Sequence, residues 1–151
     1  MNRPSFHVTV SLVLAVALLP GCGSIRPGAD QSHLLTFTTQ LRGANEVPPV
    51  SSIGSGQVDA VLNKDTHLLR WKLSYTNLSG PATAGHFHGP AAIGANARVV
   101  LPFPGQMAPV MEGSATLTAA QVADLVAGRW YANIHTAAHP DGELRGQMTQ
   151  R

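Results

Sequence analysis

The chain has 151 residues, of which 44% are hydrophobic, 12% charged and 5% aromatic, with 15 glycines and 11 prolines. That length holds one ordinary domain, which excludes a large multidomain enzyme. Ten Lys/Arg against eight Asp/Glu give +2, and the basic residues stand singly at Arg42, Lys64, Arg70, Lys72, Arg98, Arg129 and Arg145, so there is no phosphate-tracking stripe and nucleic acid is not an expected partner.

Residues 1–21 read as an export signal: Arg3 is the positive start, and Val8 to Leu19 is an apolar run broken only by Thr9 and Ser11, too short to span a bilayer as a mature helix. The run closes on Leu19-Pro20-Gly21-Cys22, which resembles the bacterial lipoprotein signal. In that reading Cys22 becomes the lipidated N-terminus, residues 22–33 form a flexible tether, and the protein is anchored in the cell envelope. Gly23 resembles the lipoproteins sent to the outer membrane. Lipidation would consume the one cysteine, so the folded part has no thiol. Disulfides, zinc-thiolate sites, iron–sulfur clusters and blue-copper centres are then excluded, and any metal falls to His, carboxylate, Met or backbone.

From His33 the pattern is strand-like, with Leu35, Phe37 and Thr39 alternating with Thr36, Thr38 and Gln40. Pro48-Pro49 forces a break. Gln57 to Leu62 is a second strand with Val58, Ala60 and Leu62 facing in. A third, His67 to Tyr75, puts Leu69, Trp71, Leu73 and Tyr75 on one face and Leu68, Arg70, Lys72 and Ser74 on the other. This predicts an antiparallel sheet with one wet face. Further strands are expected at Ala84 to His88, Ala97 to Leu101, Arg129 to Thr136 and Glu143 to Thr149. Between them, Thr118-Ala-Ala-Gln121 is a capping-box signature, followed by Val122, Leu125 and Val126 on one face and closed by Gly128, which predicts one short helix over about 118–127. His139-Pro140-Asp141-Gly142 is a turn joining the last two strands as a hairpin. The expected fold is all-β, a Greek-key β-sandwich or barrel of seven to eight short antiparallel strands with one helix.

Four spaced stretches carry a family resemblance: Leu41 to Val50 (LRGANEVPPV), Gly85 to Pro90 (GHFHGP), Leu125 to Gly128 followed by Trp130 to Thr136 (WYANIHT), and Pro140 to Gln147 (PDGELRGQ). In this order they resemble the CHRD domain, the module repeated in chordin and standing alone in many bacterial secreted proteins, over about residues 34–150. The resemblance implies an immunoglobulin-like β architecture and an extracytoplasmic module occupying residues 34–151. It implies little about chemistry.

The chemistry comes from the histidines. His86 and His88 are two apart, so on a strand both imidazoles project from one face while Phe87 points into the core. In the strand 129–136, Trp130, Ala132 and Ile134 make the apolar face, which puts Tyr131, Asn133 and His135 on the other. If the two strands are neighbours, His86, His88 and His135 form a metal-binding set, with His139 in the following turn as a candidate fourth ligand. An all-nitrogen set suits copper(II) or zinc, and the affinity order among divalent ions favours copper. Glu143 and Arg145 share a face by the same parity. Together with Asn133 they are candidates for the outer shell, Glu143 as an acceptor for a ligand histidine, against the simpler reading of a cross-strand ion pair. Glu46 is assigned a structural role, and Met107 and Met111 are assigned to loop burial.

No Gly-x-Ser-x-Gly elbow is present. The His-Phe-His strand invites comparison with copper–zinc superoxide dismutase, but the bridging histidine, zinc aspartate and disulfide of that enzyme are missing. Two readings remain open. One is a non-catalytic copper buffer, scavenger or chaperone of the envelope, monomeric and membrane-anchored. The other is a metal-free interaction or structural module that binds another envelope protein.

Overall fold

A computed structural model describes residues 32–151. The proposed export signal, Cys22 and most of the tether lie outside the described residues. Among the described residues, no helix is long and apolar enough to cross a membrane.

The strands are β1 (Leu34–Arg42), β2 (Ser55–Asn63), β3 (Leu68–Thr76), β4 (Ala82–His88), β5 (Val99–Pro102), β6 (Val110–Thr116), β7 (Tyr131–Thr136), β8 (Leu144–Gln147) and β9 (Thr149–Gln150), with a 3₁₀ turn at Gly43–Asn45 and helix α1 at Ala119–Val126. Every pairing is antiparallel, in the order β5-β4-β7-β8-β1-β2-β3-β6, with β9 added to β1. The expected all-β class with one short helix is what forms. It does so as one continuous sheet curled into a half-barrel rather than as two separate sheets. Its two end strands, β5 and β6, are consecutive in the chain and joined by residues 103–109.

The curl brings the far ends of the sheet face to face across the core. Trp71 of β3 meets Phe87 of β4 edge-on, with ring centroids 5.5 Å apart, and Phe87 also contacts Phe103 and Trp130, pairings that add to the burial of their area. The inward residues follow the alternation: Val58, Ala60 and Leu62 of β2 and Leu69, Trp71 and Leu73 of β3 are buried, as are Trp130, Ala132 and Ile134. Strand β8 pairs with β1 at Arg42 and Arg145 and comes very close to it one residue on. There a side chain at Gly146 would run into Thr39 Oγ1 and the Gln40 carbonyl, so only glycine permits the approach. Beyond Met148, whose N–H bonds the Trp130 carbonyl, the chain changes partner from β7 to β1 as β9.

Helix α1 carries the full capping box. Gln121 N–H donates to Thr118 Oγ1, and Thr118 N–H donates to Gln121 Oε1. Gly128, at φ +68°, ends it with its N–H on the Leu125 carbonyl. Strand β6 was not anticipated. Its exposed residues alternate with half-buried Met111, Gly113 and Ala115, and Gly113 in its middle removes the hydrophobic signal because the Trp71 ring fills that space.

The expectation of one wet face holds for β2 and β3 and fails at β7. Tyr131 and Asn133, on its second face, are only 3% exposed. The segment 89–98 folds back over them, tied down by Asn96 Nδ2–H on the Val47 carbonyl, Gly89 N–H on the Arg98 carbonyl and Ala91 N–H on the Arg129 carbonyl.

Candidate metal centre

Strands β4 and β7 are direct neighbours, with Ala84 opposite His135, His86 opposite Asn133 and His88 opposite Tyr131. Phe87 is fully buried in the core, which sends His86 and His88 to the other face. His135, diagonal to His86, points to the same face. The His86 and His135 rings are 5.0 Å apart between centroids, and His86 and His88 are 5.5 Å apart. One ring nitrogen from each of the three lies within 4.8 Å of the others. The sequence-derived set of His86, His88 and His135 is therefore brought together.

Backbone carbonyls fix which nitrogen of two rings faces inward. His135 Nδ1 is 2.8 Å from the Pro140 carbonyl and His88 Nδ1 is 2.9 Å from the Ala97 carbonyl. A carbonyl only accepts, so both Nδ1 atoms carry the proton, and in the neutral rings each Nε2 keeps its lone pair for the centre. His135 Nε2 lies 3.1 Å from His86 Nδ1. Two imidazole nitrogens bound to one ion at about 2.0–2.1 Å sit roughly 2.9 Å apart at a right angle and 3.4 Å at a tetrahedral one, so 3.1 Å fits a shared ion. His88 Nε2 is 3.0 Å from Asn133 Oδ1. Only an imidazolium donates to both Oδ1 and the Ala97 carbonyl. Neutral His88 accepts instead from the Asn133 amide after a half-turn of that group. Binding by all three rings requires His88 to exchange Asn133 for the ion.

The surroundings favour the neutral form of His86 and His88. Burial lowers the pKa of His86, and His135 and His88 lower it further, against a hydrogen bond to Asn133. Burial also lowers that of His88, with His135 and Arg145 adding to the effect while Ala97 and Asn133 oppose it. Neutral imidazole is the form that binds metal.

The outer residues divide. Asn133 sits against His88, on the Nε2 atom that would face the ion rather than on the outer Nδ1. Arg145 does not touch a histidine. Its Cζ lies 3.5 Å above the Tyr131 ring, and Tyr131 in turn is stacked on His88 at 4.7 Å and 5°. Glu143 is neither an acceptor for a ligand histidine nor an ion-pair partner of Arg145. It is fully buried and accepts from Ser52 Oγ, Ser79 N–H, Ser79 Oγ and Thr136 Oγ1 at 2.6–2.8 Å. Burial raises its pKa, and these bonds overcome that and hold it down at about 2. Glu143 lies in the bend before β8, which begins at Leu144, so strand alternation does not extend to it and its side chain turns to Thr136. His139 is not in the cluster. It lines a separate cavity of about 220 Å³ with Glu46, Val47, Pro48 and Asp141, because the turn at 136–142, closed by bonds between Thr136 and His139 and by Gly142 N–H on the His139 carbonyl, directs it away. Met107 contacts the core side of Gly85, opposite the imidazoles, in agreement with a packing role.

Two features were beyond the sequence reading. Tyr131 shared a face with Asn133 and His135 in the alternation, but nothing local announced its stacking on His88. Glu46 is 6% exposed with Oε1 lacking a partner, and burial raises its pKa to about 7 against the pull of Arg145 and a bond from Val47.

Fold and site together define an all-β module that presents three convergent imidazoles on neighbouring strands. The model of the CHRD domain family matches residues 37–148, most of the chain, and the protein belongs to that family. No curated protein and no solved structure matches it.

Proposed function

We propose that this CHRD domain binds a single metal ion, copper in preference to zinc, through His86, His88 and His135, and serves as a non-catalytic buffer, scavenger or chaperone held to the bacterial envelope by a lipid on Cys22. The observation that carries the reading is the convergence of three ring nitrogens within 4.8 Å, two of them oriented by the Ala97 and Pro140 carbonyls. Outer acceptors of this kind fix the tautomer of metal-binding histidines. Nitrogen donors and the affinity order of divalent ions favour copper(II).

The test is a thermal melt of the purified protein with Cu(II) or Zn(II), beside H86A and H135A. Binding to the native state alone stabilises by about 4 kcal/mol at a thousandfold excess over Kd. A copper-selective rise in Tm that both variants lose is the expected result. No rise with either metal would sink the proposal and turn attention to a protein partner.

A further inference from the structure

We infer that Arg145, held over the Tyr131 ring, biases the histidine centre toward copper(I) and against copper(II). This rests on the metal reading above and concerns how the same site chooses an oxidation state.

Strand β7 lies between β4 and β8, so Tyr131 receives His88 from one neighbour and Arg145 from the other. The His88 ring lies parallel to the Tyr131 ring, and the Arg145 guanidinium sits over that ring. Both partners are anchored. The Tyr131 hydroxyl accepts from Ala97 N–H at 3.2 Å and donates to the Ala97 carbonyl at 3.3 Å, the same carbonyl that takes His88 Nδ1–H. Arg145 donates from Nη1 to Asn96 Oδ1 at 2.7 Å and from Nη2 to the Ala95 carbonyl at 2.6 Å. It is 2% exposed, and among the described residues no carboxylate lies within 4.0 Å of its nitrogens. The acceptors that hold the guanidinium are neutral, and the Glu46 carboxyl acts on it only from beyond ion-pair distance.

A fixed positive charge repels a dication twice as strongly as a monocation. The stack separations of 3.5 Å and 4.7 Å put the charge on the order of 8 Å from His88, where an effective dielectric constant of about 20 gives a tenfold or greater difference in preference. The charge acts through space, so Arg145 is a positioning and electrostatic residue and not a ligand.

The experiment measures Cu(I) and Cu(II) affinities of the full protein by competition, with bicinchoninate for Cu(I) and nitrilotriacetate for Cu(II). R145M is expected to raise the Cu(II) affinity relative to Cu(I) by at least tenfold, a fall of 59 mV in a one-electron potential, while R145K, which keeps the charge, stays within threefold of the wild type. A merely structural role predicts the opposite, with both affinities falling together in both variants, and that result overturns the inference. Should R145M fail to fold, R145Q, which removes the charge but keeps a polar head for Asn96 Oδ1 and the Ala95 carbonyl, gives the same reading. An unchanged ratio in whichever variant folds also overturns it. A wild type that binds no copper at all fails the metal reading itself, whereas copper binding with an insensitive ratio fails only the role of Arg145.

Discussion

Glu143 is the buried group whose removal has the most distinctive consequence. Its two oxygens take four donors from three segments of the chain: Ser52 after the Pro48-Pro49 break, Ser79 between β3 and β4, and Thr136 at the end of β7. In E143Q the shape is kept, but one oxygen becomes an NH₂ and the charge that strengthens all four bonds is lost. The carboxyl's pKa is about 2 in the folded protein against 4.5 for the free group, which corresponds to roughly 3 kcal/mol of stability from the ionised form. The folded pKa is depressed, so this contribution is complete above about pH 4.5 and disappears as pH falls through about 2. Urea unfolding of wild type and E143Q at pH 7, 3 and 2 is expected to give a gap of roughly 3 kcal/mol at pH 7, less than half of that at pH 3, and almost none at pH 2. At about 4 °C per kcal/mol, Tm at neutral pH falls by roughly 12 °C. A gap below about 1 kcal/mol at pH 7, or one that stays constant down to pH 3, would refute the idea that an ionised carboxylate ties these segments together.

Glu46 carries the opposite sign. Its folded pKa of about 7 lies above the free value, so its contribution is complete below about pH 4.5 and is lost as pH rises through 7, at a cost of roughly 3 kcal/mol by pH 8. E46Q is therefore expected to be more stable than wild type at pH 8 and level with it at pH 4.5 in paired urea titrations, and equal stabilities at both pH values would contradict the buried-carboxyl account. At Gly113 an added methyl would collide with the Trp71 ring, which is itself pinned against Phe87 and Phe103. G113A should lose about 1–3 kcal/mol through overpacking, with a changed near-ultraviolet circular dichroism band from Trp71, and an unaltered melt would show that β6 moves aside freely.

The alternation of Val58, Ala60 and Leu62, of Leu69, Trp71 and Leu73, and of Trp130, Ala132 and Ile134 is enough to place strands and their buried faces. The pattern is local, because consecutive side chains on a strand point to opposite sides whatever lies beyond. The same rule puts His86, His88 and His135 on the side away from the core, and Thr118 with Gln121 starts the helix by bonds spanning three residues. Adjacency is not local. That β4 lies beside β7, so that His135 reaches His86, depends on how the sheet curls and on its crossing at Gly146, and both are set by packing between residues far apart in the chain. Parity also fails wherever the backbone leaves the strand conformation. The turn and bend at 136–143 therefore made Glu143, a proposed partner of the histidines, the clamp of three segments, and sent His139 to another cavity. Strand β6 shows a third limit, since Gly113 at its centre makes room for the Trp71 ring of the neighbouring β3 and so interrupts the hydrophobic periodicity. Local spacing determined which side chains share a face, and long-range packing decided which faces meet.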